Sequence, residues 1–280
     1  MDPLLRRFRL IQIQYCSRIL RGVCGVPAGF AAVRAVRKLP LVRDIINALV
    51  GYNRPFLTLQ DATAAIAGYE GGGHHNSSYL SVKIPEAEKP RPGDYAALFH
   101  LERVASEVHR VFDLGGSVGN LFYCYSKQLH FPSDLRWTVF DLPETNKIGA
   151  ELARSIQEER LHFTDQLMDA DGYDVFISSG SLHYFQQPLA DILAPLAVKP
   201  RYVIVNRAPL VDVPSLATIQ DGGSYRLACM LHNRAGLIKG MEQLGYVLVD
   251  SWDIRERSVM IPCYPDMSAK TYSGLFFRKA

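Results

Sequence analysis

The chain has 280 residues, 48% of them hydrophobic and 21% charged, with a formal net charge of +3. These values fit one large soluble domain with an added cap, and they exclude a disordered, collagen-like or wholly nucleic-acid-binding chain. Five cysteines, an odd number with no short metal or redox spacing, read as reduced thiols in a cytoplasmic setting.

The charge is unevenly spread. Residues 1–50 carry nine Arg or Lys against Asp2 and Asp44, a net +7 that leaves −4 for the remainder. The pattern there is helical: Leu4, Leu5, Phe8, Ile11 and Ile13 roughly follow helical spacing with arginines between them, and Val42, Ile45, Ile46, Leu49 and Val50 do the same further on. The basic residues read as a solvated helical face or as a contact with an acidic partner or an anionic membrane surface. No apolar run approaches the roughly 18–20 residues needed to span a bilayer, and Val23–Val33 is too short and too far in for a signal peptide.

Residues 59–69 read as a short helix ending at Gly68, followed by a loop over Glu70–Ser78 that contains His74 and His75. That pair lacks further ligands at metal spacing, so no metal is expected. Lys83–Asp94 reads as a linker, which puts a helical cap and linker at 1–94 and a main domain at 95–280.

A helix over Tyr95–Val108 leads into an alternation of strands and helices. Strands are expected at Arg110–Leu114, Trp137–Leu142, Leu161–Thr164, Asp174–Ser179 and Arg201–Asn206. The intervening helices are Leu121–Leu129, Glu144–Arg160 and Ser181–Leu196. A helix over Arg226–Leu244 follows, then strands at Tyr246–Ile254 and Thr271–Lys279, with Ser258–Cys263 as a further pairing candidate. This order predicts an α/β fold with a largely parallel, Rossmann-like sheet.

The stretch VFDLGGSVGN, Val111–Asn120, ends the first of these strands. Its glycines let a backbone approach a ligand with no Cβ in the way. The spacing Gly115-Gly116-x-x-Gly119 departs from the G-x-G-x-x-G that holds a pyrophosphate. Asp113 beside the turn disfavours a pyrophosphate and suits a ligand with cationic or N–H groups, such as S-adenosylmethionine. Asp141 ends the second strand, where an acid accepts ribose hydroxyls, and Leu142 follows it. Asp165, next to Gln166 after the third strand, is a candidate for the adenine amino group.

These segments, with DVFISSGSLHYF and YVIVNRAPL, resemble the ordered motifs of class I S-adenosylmethionine-dependent methyltransferases. GDYAALFHLERV, TIQDGG, HNRAGLIKGMEQLGYVLVDSW and YSGLFFRK further resemble a bacterial methyltransferase family often associated with surface-polysaccharide genes. The likeness runs from about Tyr69 to the end. It implies a seven-stranded sheet with the last strand antiparallel and an N-terminal helical cap. It also implies a cofactor cradle of Asp113, Gly115, Gly116, Ser117, Gly119, Asp141, Leu142, Asp165, Ser179 and Gly180. Ser117 stands where the family pattern has its middle glycine.

His183, after the fourth strand, is the first candidate base for removing a proton from an acceptor hydroxyl, and His232 the second. Gln220 and Tyr225 belong to a Gly-rich segment that reads as a lid or a surface loop. The expected activity is methylation of a hydroxyl on a small molecule or a sugar-containing compound. A nicotinamide-dependent oxidoreductase and a non-catalytic binding protein are the alternatives. Expected partners are a small-molecule or saccharide acceptor and a peripheral membrane met by residues 1–50. A homodimer is compatible with the sequence, and nucleic acid is not expected.

Overall fold

A computed structural model describes residues 3–68, 89–222 and 225–280. The first helices are set by proline. α1 (Pro3–Cys24), α2 (Pro27–Val36) and α3 (Pro40–Val50) each begin on one, where a missing N–H costs nothing. Gly51, at φ +76°, closes α3 by donating its N–H to Asn47 O. Thr58 caps α4 (Leu59–Ala64), its hydroxyl accepting from Asp61 N at 3.0 Å.

The main alternation follows as expected: α5 (Tyr95–Glu102), β1 (Arg110–Leu114), α6 (Asn120–Tyr125), β2 (Arg136–Phe140), α7 (Pro143–Ser155), β3 (Leu161–Thr164), β4 (Val175–Ser179), α8 (Leu189–Leu193) and β5 (Tyr202–Ala208). The helix expected over Ser181–Leu196 is reduced to a single 3-10 turn at Leu182–Tyr184 and the short α8. Pro188, just ahead of α8, cannot sit inside a helix.

The largest correction falls on Arg226–Leu244. Its first half is a strand, β8 (Arg226–Asn233), which is parallel to β6 (Leu210–Val211) and antiparallel to β7 (Leu216–Asp221). Only α9 (Arg234–Gln243) is helical. Leu227, Cys229 and Leu231 alternate as a strand requires, and the pairing with β7 decides between that period and the helical one. His232 therefore lies on a strand, and Gln220 lies on β7 rather than in a loop. Ser258–Cys263 forms no strand; Val259 makes an isolated bridge with Ala269.

β9 (Tyr246–Ile254) and β10 (Tyr272–Lys279) complete a seven-stranded sheet in the order β3-β2-β1-β4-β5-β10-β9. β1 to β5 pair in parallel, and β10 runs antiparallel to β5. This is the Rossmann-like arrangement implied by the sequence likeness. The chain adds β2 and β3 on one side of β1 and then crosses to β4 on the other, so strand order reverses at β1.

The described chain divides into two compact units. One holds residues up to 68 with Pro209–Arg234 and Arg255–Tyr272; the other holds residues 89–208, Ala235–Ile254 and Ser273–Ala280. The second unit carries the large sheet. Its core packs Val111, Trp137, Val139, Ile177 and Ile204 against Leu98 and Leu101 of α5 and Leu121 and Phe122 of α6. The first unit packs Ala62 and Ile66 against Ala217, Ile219 and Met230, with a separate cluster of Cys24, Val33, Val50 and Met260.

Candidate functional site

The site candidates converge at the carboxyl edge of the large sheet, where β1 gives way to the glycine turn. Asp113 is fully buried there and accepts from Trp137 Nε1 at 3.2 Å. Gly115 has φ +67° and donates its N–H to Phe140 O at 2.7 Å, tying the turn to β2. A Cβ at Gly115 would lie 2.4 Å from that of Ser181. Ser181 in turn bonds the Leu114 carbonyl, and its hydroxyl pairs with that of Ser178 at 2.9 Å. At Gly116 a Cβ would meet Asp113 Oδ2 at 2.4 Å. The glycines thus allow the backbone to lie directly on a carboxylate and on the loop after β4.

Ser117 has φ 59°, the left-handed conformation that glycine adopts without strain. The motif resemblance read in the sequence expects glycine there, and the backbone keeps glycine's shape. The Ser117 hydroxyl is also buried and, among the described residues, has no hydrogen-bond partner. Ser117→Gly should therefore raise unfolding free energy by about 1–2 kcal/mol, relieving both strain and a stranded hydroxyl. Urea denaturation checks this; a loss of stability contradicts it.

Asp141 joins the turn to the tip of β2. Its Oδ2 accepts from Ser117 N and its Oδ1 from Leu142 N, each at 2.8 Å. Asn146 locks the same corner, donating through Nδ2 to the carbonyls of Asp141 and Thr164, both at 2.9 Å. Asp165, beyond the tip of β3, is exposed and accepts from Gln166 Nε2 at 2.8 Å. Asp141 and Asp165 each follow the last paired residues of β2 and β3, Phe140 and Thr164, while the buried Asp113 lies further in, opposite Val139.

On the other side of the turn stands a cluster only partly foreseen in the sequence. Arg207, at the end of β5 with φ 55°, donates Nε and Nη2 to Ser179 Oγ at 3.1 and 2.9 Å. Its Nη2 lies 3.6 Å from the buried Asp94 Oδ1. Asp94 also accepts from Asn206 Nδ2 at 3.1 Å, from Tyr125 OH at 3.4 Å and from Arg91 N at 2.9 Å. Trp252 Nε1 donates to Asn206 Oδ1 at 3.1 Å. Burial, with Asp94 adding to it, pushes the Tyr125 hydroxyl well above its ordinary value and the Cys124 thiol up to about 11, so both stay protonated in a dry corner. Gly180, at φ +78°, donates its N–H to Asn206 O at 2.8 Å and carries the chain past this cluster.

His183 is buried on the turn after β4, its ring 4.2 Å from that of Tyr184. His232 is buried on β8, in the other compact unit. Gln220 and Tyr225 belong to that unit as well, with Gly222 N donating to Tyr225 O at 2.9 Å. The His74–His75 pair lies outside the described residues. Among the described residues no group of three or more His, Cys, Asp or Glu is placed to hold a metal ion.

Chemically, the edge offers acceptors for hydroxyls and N–H groups along β1–β3 and one guanidinium at β5. Adjoining carboxylates disfavour a diphosphate, and the turn lacks the glycine spacing that cradles one.

No protein-family model matches the chain, and no curated protein matches it either. Among solved structures it is similar to the 1,6-didemethyltoxoflavin-N1-methyltransferase of Burkholderia thailandensis, which holds 1,6-didemethyltoxoflavin and S-adenosylhomocysteine. That match has 20% identity and a TM-score of 0.42, and covers 68% of this chain and 91% of that one. The magnesium protoporphyrin IX methyltransferase of Synechocystis PCC 6803, with bound S-adenosylhomocysteine, matches at 14% identity and TM-score 0.45, covering 86% and 99%. An O-methyltransferase family protein of Burkholderia thailandensis matches at 14% identity and TM-score 0.47, covering 81% and 64%. Likeness at this level assigns no activity.

Proposed function

We propose that the chain is an S-adenosylmethionine-dependent methyltransferase acting on a hydroxyl of a small molecule or a saccharide. The observation that carries this reading is the left-handed turn Gly115–Gly119, set between the buried Asp113 and the Asp141 carboxylate at the point where strand order reverses. Such an edge is where open α/β sheets take nucleoside ligands.

The residues present fit the cofactor. Asp141 uses one lone pair on each oxygen for the turn and retains others for two ribose hydroxyls. Leu142 lies beside it, and Asp165 with Gln166 would accept from an adenine amino group. Gly115 and Gly116 let the turn pack directly on Ser181 and Asp113, where a Cβ would clash. Asp113 is too deeply buried for broad contact and acts on a cationic ligand through its field. Ser179 and Gly180 would border the amino-acid end, and Arg207, held against Ser179, would pair with its carboxylate.

When bound, the cofactor supplies a methyl group on a sulfonium, poised for in-line transfer to an oxygen. The chain's task is alignment and exclusion of water. His183 is the proposed base for the acceptor proton, and His232 the second candidate. The oxygen preference, the saccharide class and a cytoplasmic setting belong to the same reading; the five free cysteines support the last.

The test is to incubate the purified chain with a labelled methyl donor and a panel of phenols, catechols, sugars, amines and carboxylates. Label transfer to hydroxyl-bearing acceptors is expected; transfer confined to amines would overturn the oxygen preference. Arg207→Ala should weaken S-adenosylhomocysteine binding about tenfold or more and leave 5′-methylthioadenosine, which lacks the amino-acid end, unchanged in calorimetry. Equal loss for both ligands would show that Arg207 only supports the fold.

A further inference from the structure

We propose that the outward face of α1 docks this protein onto an anionic lipid bilayer. The helix is apolar on two sides. Its inner side places Cys16, Leu20 and Cys24 in a cluster with Val33, Val50 and Met260. Its outer side presents Phe8, Ile11, Tyr15, Ile19 and Val23, spaced three and four residues apart, at 75%, 58%, 66%, 51% and 41% exposure. Soluble proteins scatter single exposed apolar residues, but a stripe along about four helical turns marks an interaction surface.

Three polar side chains of α1 turn the other way, while Arg18, next to Ile19, stays exposed. Arg9 Nη2 donates to Ala48 O at 2.5 Å, Arg21 Nη2 to Val259 O at 3.4 Å and Gln14 Nε2 to Glu256 O. On α2's flank, Arg37 Nη1 donates to Pro262 O at 2.6 Å and Nη2 to Asn47 Oδ1 at 2.9 Å. The helix thus spends hydrogen-bonding capacity inward and leaves hydrocarbon outside. That arrangement suits a helix lying in the plane of a membrane interface.

Charge selects the occupant. The exposed charged side chains of the described part of α1 to α3 are Arg18, Arg34, Lys38 and Arg43 against Asp44. A second copy of the chain would bring the same cations together, which opposes association. An anionic headgroup layer attracts them, while the acyl boundary receives the apolar stripe. Among the described residues no single helix is long and apolar enough to cross a membrane, and α1 and α2, apolar enough together, turn through 117° at their break.

The test is flotation of the full chain with phosphatidylcholine vesicles containing about one third phosphatidylserine, and with phosphatidylcholine alone. Wild type should float with the anionic vesicles and stay behind with the neutral ones. Ile11→Glu/Ile19→Glu should lose binding about tenfold or more, and Arg18→Glu/Arg34→Glu should lose the preference for anionic lipid. Both sites are exposed, so each variant should melt like wild type. Equal flotation of wild type and the double glutamate variant overturns the proposal. So does a wild type that ignores vesicles, whether it sediments as a monomer or as a dimer that the glutamates split.

Discussion

Replacing Gly274 by valine should destabilise the protein by about 3 kcal/mol or more and lower its melting midpoint by about 6 °C or more. A Cβ at this position in β10 would lie 1.9 Å from Trp252 Cε2 and 2.1 Å from its Nε1. The indole cannot yield cheaply, because its Nε1 donates to Asn206 Oδ1 at 3.1 Å. Asn206 in turn donates to Asp94 at 3.1 Å, so a shift of the ring passes into the polar cluster at the tip of β5. Gly274→Ala should show the same sign with a smaller loss. Guanidinium denaturation measures both; wild-type midpoints would mean that Trp252 does not lie across β10.

Asp141→Ala should lower affinity for S-adenosylhomocysteine about 100-fold. The carboxylate holds two backbone N–H groups, those of Ser117 and Leu142, in charge-assisted bonds at 2.8 Å. Removing it strands both donors, loosens the turn from β2 and takes away the acceptor for the ribose hydroxyls. Each loss is worth about 1.5–3 kcal/mol, so two together reach the stated factor or exceed it. Asp141→Asn, which keeps one acceptor oxygen, should fall between. Asp165→Ala, at an exposed position, should change affinity by no more than a few-fold. Calorimetric titration separates the three; equal effects at Asp141 and Asp165 would remove Asp141 from its proposed role.

The parallel half of the sheet was legible because β1, β2, β4 and β5 are short apolar runs between turn residues, a pattern that belongs to buried strands. Proline at the start of α7 and the acids at successive strand ends were legible for the same local reason. Arg226–Asn233 was not, because its apolar residues fit helical spacing as well as alternation, and only the partner β7 resolves the ambiguity. The edge cluster had no local signal: Asp94 and Asn206 are 112 positions apart and meet through topology alone. The orientation of α1 was equally hidden. Two apolar stripes can be counted in its sequence, but which one faces inward depends on Val33, Val50 and Met260. At Ser117 the reverse held, since the expected glycine position predicted the left-handed backbone that the serine adopts.

In the proposed function, Asp113 within β1 and Asp141 beyond β2 favour a sulfonium nucleoside over a dinucleotide. Calorimetric titration of the purified chain with S-adenosylhomocysteine and, separately, with NAD+ tests it most directly. Saturable binding of the first, lost in Asp141→Ala, is expected, with no measurable heat from the second. Saturable binding of NAD+ without binding of S-adenosylhomocysteine would contradict it.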